Sequence, residues 1–255
     1  MDLLLQDRAA AGRQLATALR KYRKHRDVMV VAIAPGGVPV AAEIAQSLEV
    51  PLDVIVARVL RLPSENGLVF GSVATGGARA LDWGHVSGVD VSDETIERVC
   101  ATEGAEVERL TRLYRGDRLP PEMSGRRVIL VDEGVDSGVT LHGAAAAVRA
   151  LHPAKLVLAV PVARFDVVRK LYGAVDEVVC LGTPYPFENI ARWYWFFPDV
   201  TAESVRETLQ RMWFSEDERS AAAPRTRPPL LPRTPGVVKK IELDTLDKRP
   251  IAPSA

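Results

Sequence analysis

The stretch VILVDEGVDSGVT, residues 128–140, decides the fold of this chain. Its first four residues are apolar, which is typical of a strand buried on both faces of a parallel sheet. Two carboxylates, Asp132 and Glu133, follow at the end of that run, and a loop of small residues then opens an Ala-rich helix. Open α/β sheets bind their ligands outside the carboxyl ends of the strands. We therefore expect a ligand site at this turn.

The loop has the composition of an anion site. Gly138 lets the backbone approach a ligand closely, and the N–H groups of the loop and first helical turn, with the hydroxyls of Ser137 and Thr140, form a cradle for phosphate. The acid pair suits vicinal hydroxyls or a bound Mg²⁺, so the combination predicts a phosphorylated sugar. The alternative is a turn whose Asp and Ser only cap the helix. No Gly-Lys-Ser/Thr follows the glycine, which argues against a P-loop ATPase.

Strands and helices alternate on both sides of this stretch, which predicts right-handed βαβ units and an α/β fold with a mostly parallel sheet flanked by helices. Apolar runs predict strands at Val28–Ala34, Leu52–Leu60, Arg127–Val131, Lys155–Val160 and Glu177–Leu181. Helical periodicity predicts helices at Asp7–Arg23, Val40–Leu48, Ser92–Tyr114, Gly138–Leu151, Phe165–Tyr172 and Ala202–Trp213. The Gly-rich passage Arg61–Gly88 predicts strand hairpins and loops. Ser92 is the expected N-cap of the long charged helix.

Composition excludes several classes of protein. The 255 residues carry 33 Lys+Arg against 33 Asp+Glu, so the net charge of zero gives no general attraction to nucleic acid or to an anionic membrane. The two cysteines are too few for a disulfide framework, and they lack the CxxC spacing of a zinc or redox site. No apolar run approaches the length of about 18 residues that a membrane span needs. These features predict a globular cytoplasmic protein without nucleic-acid or membrane partners.

Composition also predicts the domain organisation. Residues 1–216 are expected to form one domain, and residues 217–255, rich in proline and mildly basic, a flexible and disordered tail.

VILVDEGVDSGVT resembles the signature of the type I phosphoribosyltransferases, which bind 5-phosphoribosyl 1-diphosphate (PRPP): an apolar strand, two acidic residues, three variable residues, then Thr/Ser-Gly-x-Thr/Ser. Four further segments, APGGVPVAAEIA, LDVIVARVL, GLVFGSVATGG and EVVCLGTPYPF, follow the layout of an uncharacterised bacterial subgroup. The resemblance covers roughly residues 8–213, and only the PRPP motif in it is specific. It implies transfer of phosphoribosyl from PRPP to a nitrogenous base with release of pyrophosphate, a small hood over the base, Mg²⁺ as cofactor, and a homodimer in nucleotide metabolism.

The resemblance also implies roles for individual residues. Asp132 and Glu133 would hold the ribose hydroxyls, directly or through Mg²⁺, and the loop of Asp136, Ser137, Gly138, Val139 and Thr140 would wrap the 5′-phosphate. Asp136 would in addition act as general base toward the nucleobase.

Other segments are implied to contact the rest of the ligand. Pro35, Gly36 and Gly37 correspond to the pyrophosphate loop, which often has a strained or cis peptide. Arg58 would face the same pyrophosphate. Three aromatic side chains, Tyr185, Phe187 and Trp193, fall where the hood would stack on the base. For the whole run 193–197 we prefer packing in the core or a dimer interface.

Two positions depart from the pattern. Pro35 stands where a basic residue is expected, and Val59 stands where a Lys is common, although Arg61 lies close by. Loss of cations that stabilise a leaving pyrophosphate can cost about 10²–10³ in rate. A non-catalytic module that senses PRPP or a nucleotide is therefore a second hypothesis, and a hydrolase or phosphorylase acting on a phosphorylated nucleoside is a third.

Overall fold

The computed structural model describes residues 4–63, 67–82, 91–171 and 173–222. Seven strands form one sheet: β1 (Val28–Ala34), β2 (Leu52–Arg61), β3 (Val69–Ala74), β4 (Ala78–Leu81), β5 (Arg127–Val131), β6 (Lys155–Val162) and β7 (Glu177–Gly182). Their order is β4-β3-β2-β1-β5-β6-β7. Five neighbouring strands are parallel: β2, β1, β5, β6 and β7. Strands β3 and β4 continue the sheet beyond β2 as an antiparallel hairpin.

Six α-helices belong to the described residues: α1 (Arg8–Ala18), α2 (Gly37–Leu48), α3 (Asp93–Arg115), α4 (Val139–Arg149), α5 (Phe165–Leu171) and α6 (Ala202–Ala222). Short 3₁₀ turns lie at Arg20–Tyr22, Thr75–Gly77 and Ile190–Trp193. None of these helices has the length and apolar character needed to cross a membrane.

The sheet is buried on both faces, as the apolar runs predict. All seven residues of β1 are buried. Helices α1, α2, α3 and α6 contribute to the core on one face, whereas α4 and α5 pack on the other. Burial on both faces explains why the central strands are continuous apolar runs rather than alternating ones. The predicted α/β class is confirmed.

The boundaries of β1 and β5 agree with the prediction, and Ser92 caps α3 by accepting a hydrogen bond from the Thr95 N–H at 3.3 Å. The first helix is shorter than the predicted Asp7–Arg23: α1 ends at Ala18, and a 3₁₀ turn follows at Arg20–Tyr22. Helix α2 begins at Gly37, three residues before the predicted start, so the Gly-Gly turn itself opens the helix.

The last helix continues to Ala222, beyond both the predicted end at Trp213 and the expected domain boundary at 216. The sequence explains this extension, because no proline interrupts the segment before Pro224. The expected disordered tail falls, from residue 223 onward, outside the described residues, as do residues 83–90 of the Gly-rich passage.

Candidate active site

A cavity of about 560 Å³ opens at the carboxyl ends of β1 and β5. The segment after β5 forms one wall, the turn after β1 forms another, and residues 190–200 cover it. Its lining residues are Arg8, Ile33, Ala34, Pro35, Gly36, Ala57, Asp132, Glu133, Gly134, Val135, Asp136, Ser137, Gly138, Thr140, Leu141, Ile190, Phe197, Asp199 and Val200. The cavity therefore lies where the order of a parallel sheet predicts a ligand site.

Gly138 makes the loop after β5 possible. Its φ of 75° is in the left-handed region, and a Cβ added there would lie 2.8 Å from Val167 Cγ1. Backbone hydrogen bonds anchor the loop to the end of β6, since the Val135 N–H donates to the Val162 carbonyl and the Arg164 N–H donates to the Val135 carbonyl, both at 2.9 Å. The loop is thus a fixed turn that opens helix α4.

Four of the five predicted phosphate-loop residues line the cavity: Asp136, Ser137, Gly138 and Thr140. Val139 belongs to the same turn, but its carbonyl oxygen accepts a hydrogen bond from Ser72 Oγ at 2.6 Å on strand β3. This bond ties the start of α4 to the sheet. The loop and the first turn of α4 thus present backbone N–H groups and hydroxyls together at a helix N-terminus, which is a favourable position for an anion.

Asp132 is a half-buried acid directly after β5. Its Oδ1 accepts a hydrogen bond from the Glu133 N–H at 2.8 Å. Burial, together with the neighbouring Glu133 carboxylate, raises the pKa of Asp132 to about 8.

Glu133 has a different environment, because its Oε2 is paired with Arg8 Nε at 2.5 Å. The carboxyl group lies against the turn after β1: a Cβ added to Gly36 would come within 2.2 Å of Glu133 Cδ. The Glu133 carbonyl oxygen accepts a hydrogen bond from the Tyr194 hydroxyl at 2.6 Å. Burial raises the pKa of Tyr194 far above its usual range, so the hydroxyl remains a donor. Adjacent acids in the sequence thus have separate partners.

Sequence reasoning missed Arg8. The residue is 8% exposed, its Nη1 donates to the Pro198 carbonyl at 2.6 Å, and its guanidinium lies 3.7 Å from the centroid of the Phe197 ring. Its position directly after the Asp7 cap of α1 gave no local sign of this role, since Glu133 is 125 residues away.

The predicted pyrophosphate turn borders the cavity. Pro35 and Gly36 line it, and the Ala34–Pro35 peptide bond is cis, as the resemblance implied for this loop. Gly37 packs inward as the first residue of α2, and a Cβ there would lie 2.6 Å from the Val131 carbonyl oxygen. Close packing of the turn against β5 therefore requires glycine at this position.

The structure corrects the expectation for Arg58. This side chain forms an ion pair with Glu103 on α3, and Ala57 is the residue of β2 that lines the cavity. Successive residues of a strand point to opposite faces, so Arg58 cannot accompany Ala57 into the site. Arg61 does not replace it, because Arg61 is absent from the lining of the cavity. Its Nη1 donates to the Gly67 carbonyl at 3.4 Å.

The predicted base-stacking residues are also displaced from the cavity. Tyr185 is 95% exposed, and Phe187 packs against Trp193 with ring centroids 6.2 Å apart. From this part of the chain, Ile190, Phe197 and Val200 line the cavity instead. Within the run 193–197, the expected core packing holds for Tyr194, whereas Trp195 and Phe196 are 80% and 61% exposed.

Asp136 lies at the mouth of the cavity as an exposed carboxylate 3.6 Å from Arg164 Nη1. Arg164 itself is held by Asp166 through two hydrogen bonds of 3.0 and 2.6 Å. Asp136 thus lines the cavity, and its role as general base stays a prediction.

Residues 4–181 match the family model of the phosphoribosyl transferase domain. In two strains of Mycobacterium tuberculosis, a protein named "Putative phosphoribosyl transferase" is 36% identical over 229 residues, which are 89% of this chain and 51% of that protein. The crystal structure of TT1426 from Thermus thermophilus is 32% identical, with a TM-score of 0.70, and the match covers 82% of this chain and 99% of that one.

The family model and these relatives define the class: the chain belongs to the phosphoribosyl transferase domain family. The chain spans about half the length of the curated relatives it matches.

Proposed function

We propose that this protein binds PRPP in the cavity at the end of β5 and transfers its phosphoribosyl group to a nitrogenous base. The observation that carries the proposal is the joint lining of one cavity by the acid pair and the phosphate loop. A phosphorylated sugar is the ligand whose groups match both features, since the loop provides N–H and hydroxyl donors and the acids accept from ribose hydroxyls.

In the proposed complex the loop 136–140 binds the 5′-phosphate, and Asp132 accepts from a ribose hydroxyl. A ring nitrogen of the base attacks C1′, and the bond from C1′ to the pyrophosphate oxygen breaks with inversion. Asp136 takes the proton that the base loses, and pyrophosphate leaves with the bonding electrons. The protein contributes mainly by fixing the reacting groups in position.

The donor set of the site fits Mg²⁺ bound jointly by protein and ligand. Among the described residues there is no group of three or more His, Cys, Asp or Glu side chains suited to enclose a metal. Mg²⁺ usually takes one or two carboxylates and completes its shell with water and ligand phosphates, so Asp132, with Glu133 beside it, is the residue to hold it. When bound, the ion would neutralise charge on the leaving pyrophosphate.

A non-catalytic module that senses PRPP or a nucleotide is the second candidate, and a specific observation favours it. Pro35 brings neither a side-chain charge nor an N–H to the pyrophosphate turn, and Arg58 is paired with Glu103 away from the cavity. Binding tolerates such losses better than turnover, because the charge on pyrophosphate increases in the transition state.

Titration calorimetry with PRPP, with and without Mg²⁺, tests both candidates. The variants are Asp132→Asn and, as a matched control, Asp27→Asn, an exposed acid paired with Arg127. Binding lost only in Asp132→Asn supports the site, and pyrophosphate release in a screen of bases then separates transferase from sensor. Absence of PRPP binding by the wild-type protein would refute the transferase and the PRPP sensor, and titration with a nucleoside 5′-monophosphate then decides whether a nucleotide sensor is left.

The proposal includes a cytoplasmic location and a homodimer, and light scattering on the purified protein checks the dimer.

A further inference from the structure

We propose that Arg8 is the residue that binds the diphosphate of the ligand, a role that rests on the proposed function. The inference starts from the charges of the cavity. Four carboxylates line it, from Asp132, Glu133, Asp136 and Asp199, whereas Arg8 is the single basic residue among its described lining residues. PRPP carries anionic groups at two places on the sugar. The loop after β5 accounts for one of them, and the other needs a cation.

Arg8 is held in place before any ligand arrives. Nε is paired with Glu133, Nη1 donates to the Pro198 carbonyl, and the guanidinium face covers Phe197. These contacts fix both the position and the plane of the group. A cation that is ordered in advance binds an anion without a further loss of side-chain entropy.

Donors of the guanidinium remain for a ligand. Arginine has five N–H donors, and two atoms, Nε and Nη1, carry the hydrogen bonds that the structure records for Arg8. Within the described residues, Nη2 has no hydrogen-bond partner. Its two N–H groups are thus available to phosphate oxygens while the other contacts of the side chain persist.

The geometry also places Arg8 beside the turn after β1. The Glu133 carboxyl group is in contact with Arg8, and a Cβ added at Gly36 would lie within 2.4 Å of both oxygens of that carboxyl group. Arg8 therefore adjoins the turn whose own Pro35 lacks positive charge. Helix α1, remote in sequence, supplies the charge that this turn does not have.

The experiment compares three ligands: PRPP, inorganic pyrophosphate and ribose 5-phosphate, which lacks the diphosphate. The variants are Arg8→Gln, Arg8→Lys and the control Arg13→Gln, which removes an exposed arginine of the same helix, paired with Glu43 at 3.4 Å. A hydrogen-bonded charge pair corresponds to a factor of about 10–100 in Kd. We expect Arg8→Gln to weaken PRPP and pyrophosphate by that factor and ribose 5-phosphate by less than about threefold.

Arg8→Lys keeps the charge but loses the planar fork, so intermediate affinity for pyrophosphate is expected. Ribose 5-phosphate binding by the same variants reports whether the site is still folded. Equal weakening of all three ligands would show a purely structural role, and unchanged pyrophosphate affinity in Arg8→Gln would also overturn the inference.

The proposed function fails separately. It fails if the wild-type protein does not bind PRPP, whereas loss of pyrophosphate binding in Arg8→Gln would still identify Arg8 as an anion site.

Discussion

Arg115, the last residue of α3, forms a buried ion pair with Asp53 at the start of β2, and its replacement by Met is expected to destabilise the protein strongly. The two side chains are 6% and 5% exposed. Both Arg115 amino groups donate to the Asp53 carboxylate, and Nη2 also donates to the Leu119 carbonyl at 2.5 Å.

Without Arg115, the Asp53 carboxylate would keep the hydrogen bond from the Val54 N–H at 2.6 Å and the more distant charge of Arg118, but would lose its paired guanidinium. Removal of one partner of a buried pair costs about 3–5 kcal/mol, because the remaining charge is uncompensated. We therefore expect the free energy of unfolding of Arg115→Met to be lower by that amount at pH 7. Conversion of Asp53 to Asn in the same background is expected to recover at least half of the loss, because it removes the unpaired charge.

The loss should depend on pH with a definite sign. Burial raises the pKa of Asp53 above its ordinary 3.8 even though Arg115 lowers it, and the pKa will rise further without the arginine. The native variant then binds more protons than the unfolded chain, so its stability falls as pH rises above about 4. The difference from wild type should thus be smaller at pH 5 than at pH 7.

Urea unfolding at both pH values measures these free energies, with Arg109→Met as the control. Arg109 lies on the same helix in an exposed pair with Glu106, and its loss should change the free energy of unfolding little, because solvent screens an exposed pair. An Arg115→Met variant as stable as this control, or a deficit that grows as pH falls, would refute the reasoning.

Two further predictions concern the site and the opposite edge of the sheet. Gly36→Ala places a Cβ 2.2 Å from Glu133 Cδ and so displaces that carboxylate from its arginine, which should lower the free energy of unfolding by about 1–3 kcal/mol in urea unfolding. The control is Gly104→Ala on α3, where the added Cβ meets open space, and it should be neutral or stabilising. Equal effects of Gly36→Ala and Gly104→Ala would contradict the predicted clash. The second prediction concerns Glu177. Burial acts to raise its pKa, but hydrogen bonds from the side chains of Lys155, Lys21 and Tyr22 lower the pKa to about 2. Because the pKa is lower in the folded protein, ionised Glu177 stabilises the fold at pH values above 4.5, and this stabilisation is lost as pH falls toward 2. Glu177→Gln should therefore lower the free energy of unfolding by about 1–3 kcal/mol at pH 7 and by little at pH 2.5, as measured by guanidinium unfolding. A cost that does not change with pH would disprove the assignment.

Local sequence determined the main elements of this protein. Strand β1 begins and ends with its apolar run, and β5 extends its run 128–131 by Arg127 alone, because a strand buried on both faces needs apolar side chains along its length. The loop after β5 lies where its small residues and Gly138 predict, since a turn into a helix depends on the conformational preferences of a few consecutive residues. The acid pair consequently lies at the carboxyl end of β5.

Tertiary structure decided which side chains share the cavity. The residues of β2 around Ala57 and Arg58 do not alternate between apolar and polar, so the sequence could not tell which of the two points toward the site. The partner of Glu133 is equally invisible in the sequence, because Arg8 reaches it only after α1 has packed beside the sheet, across 125 positions of the chain. Local preferences thus fix strands, turns and caps, whereas the charge balance of the cavity arises from contacts that exist only in the folded protein.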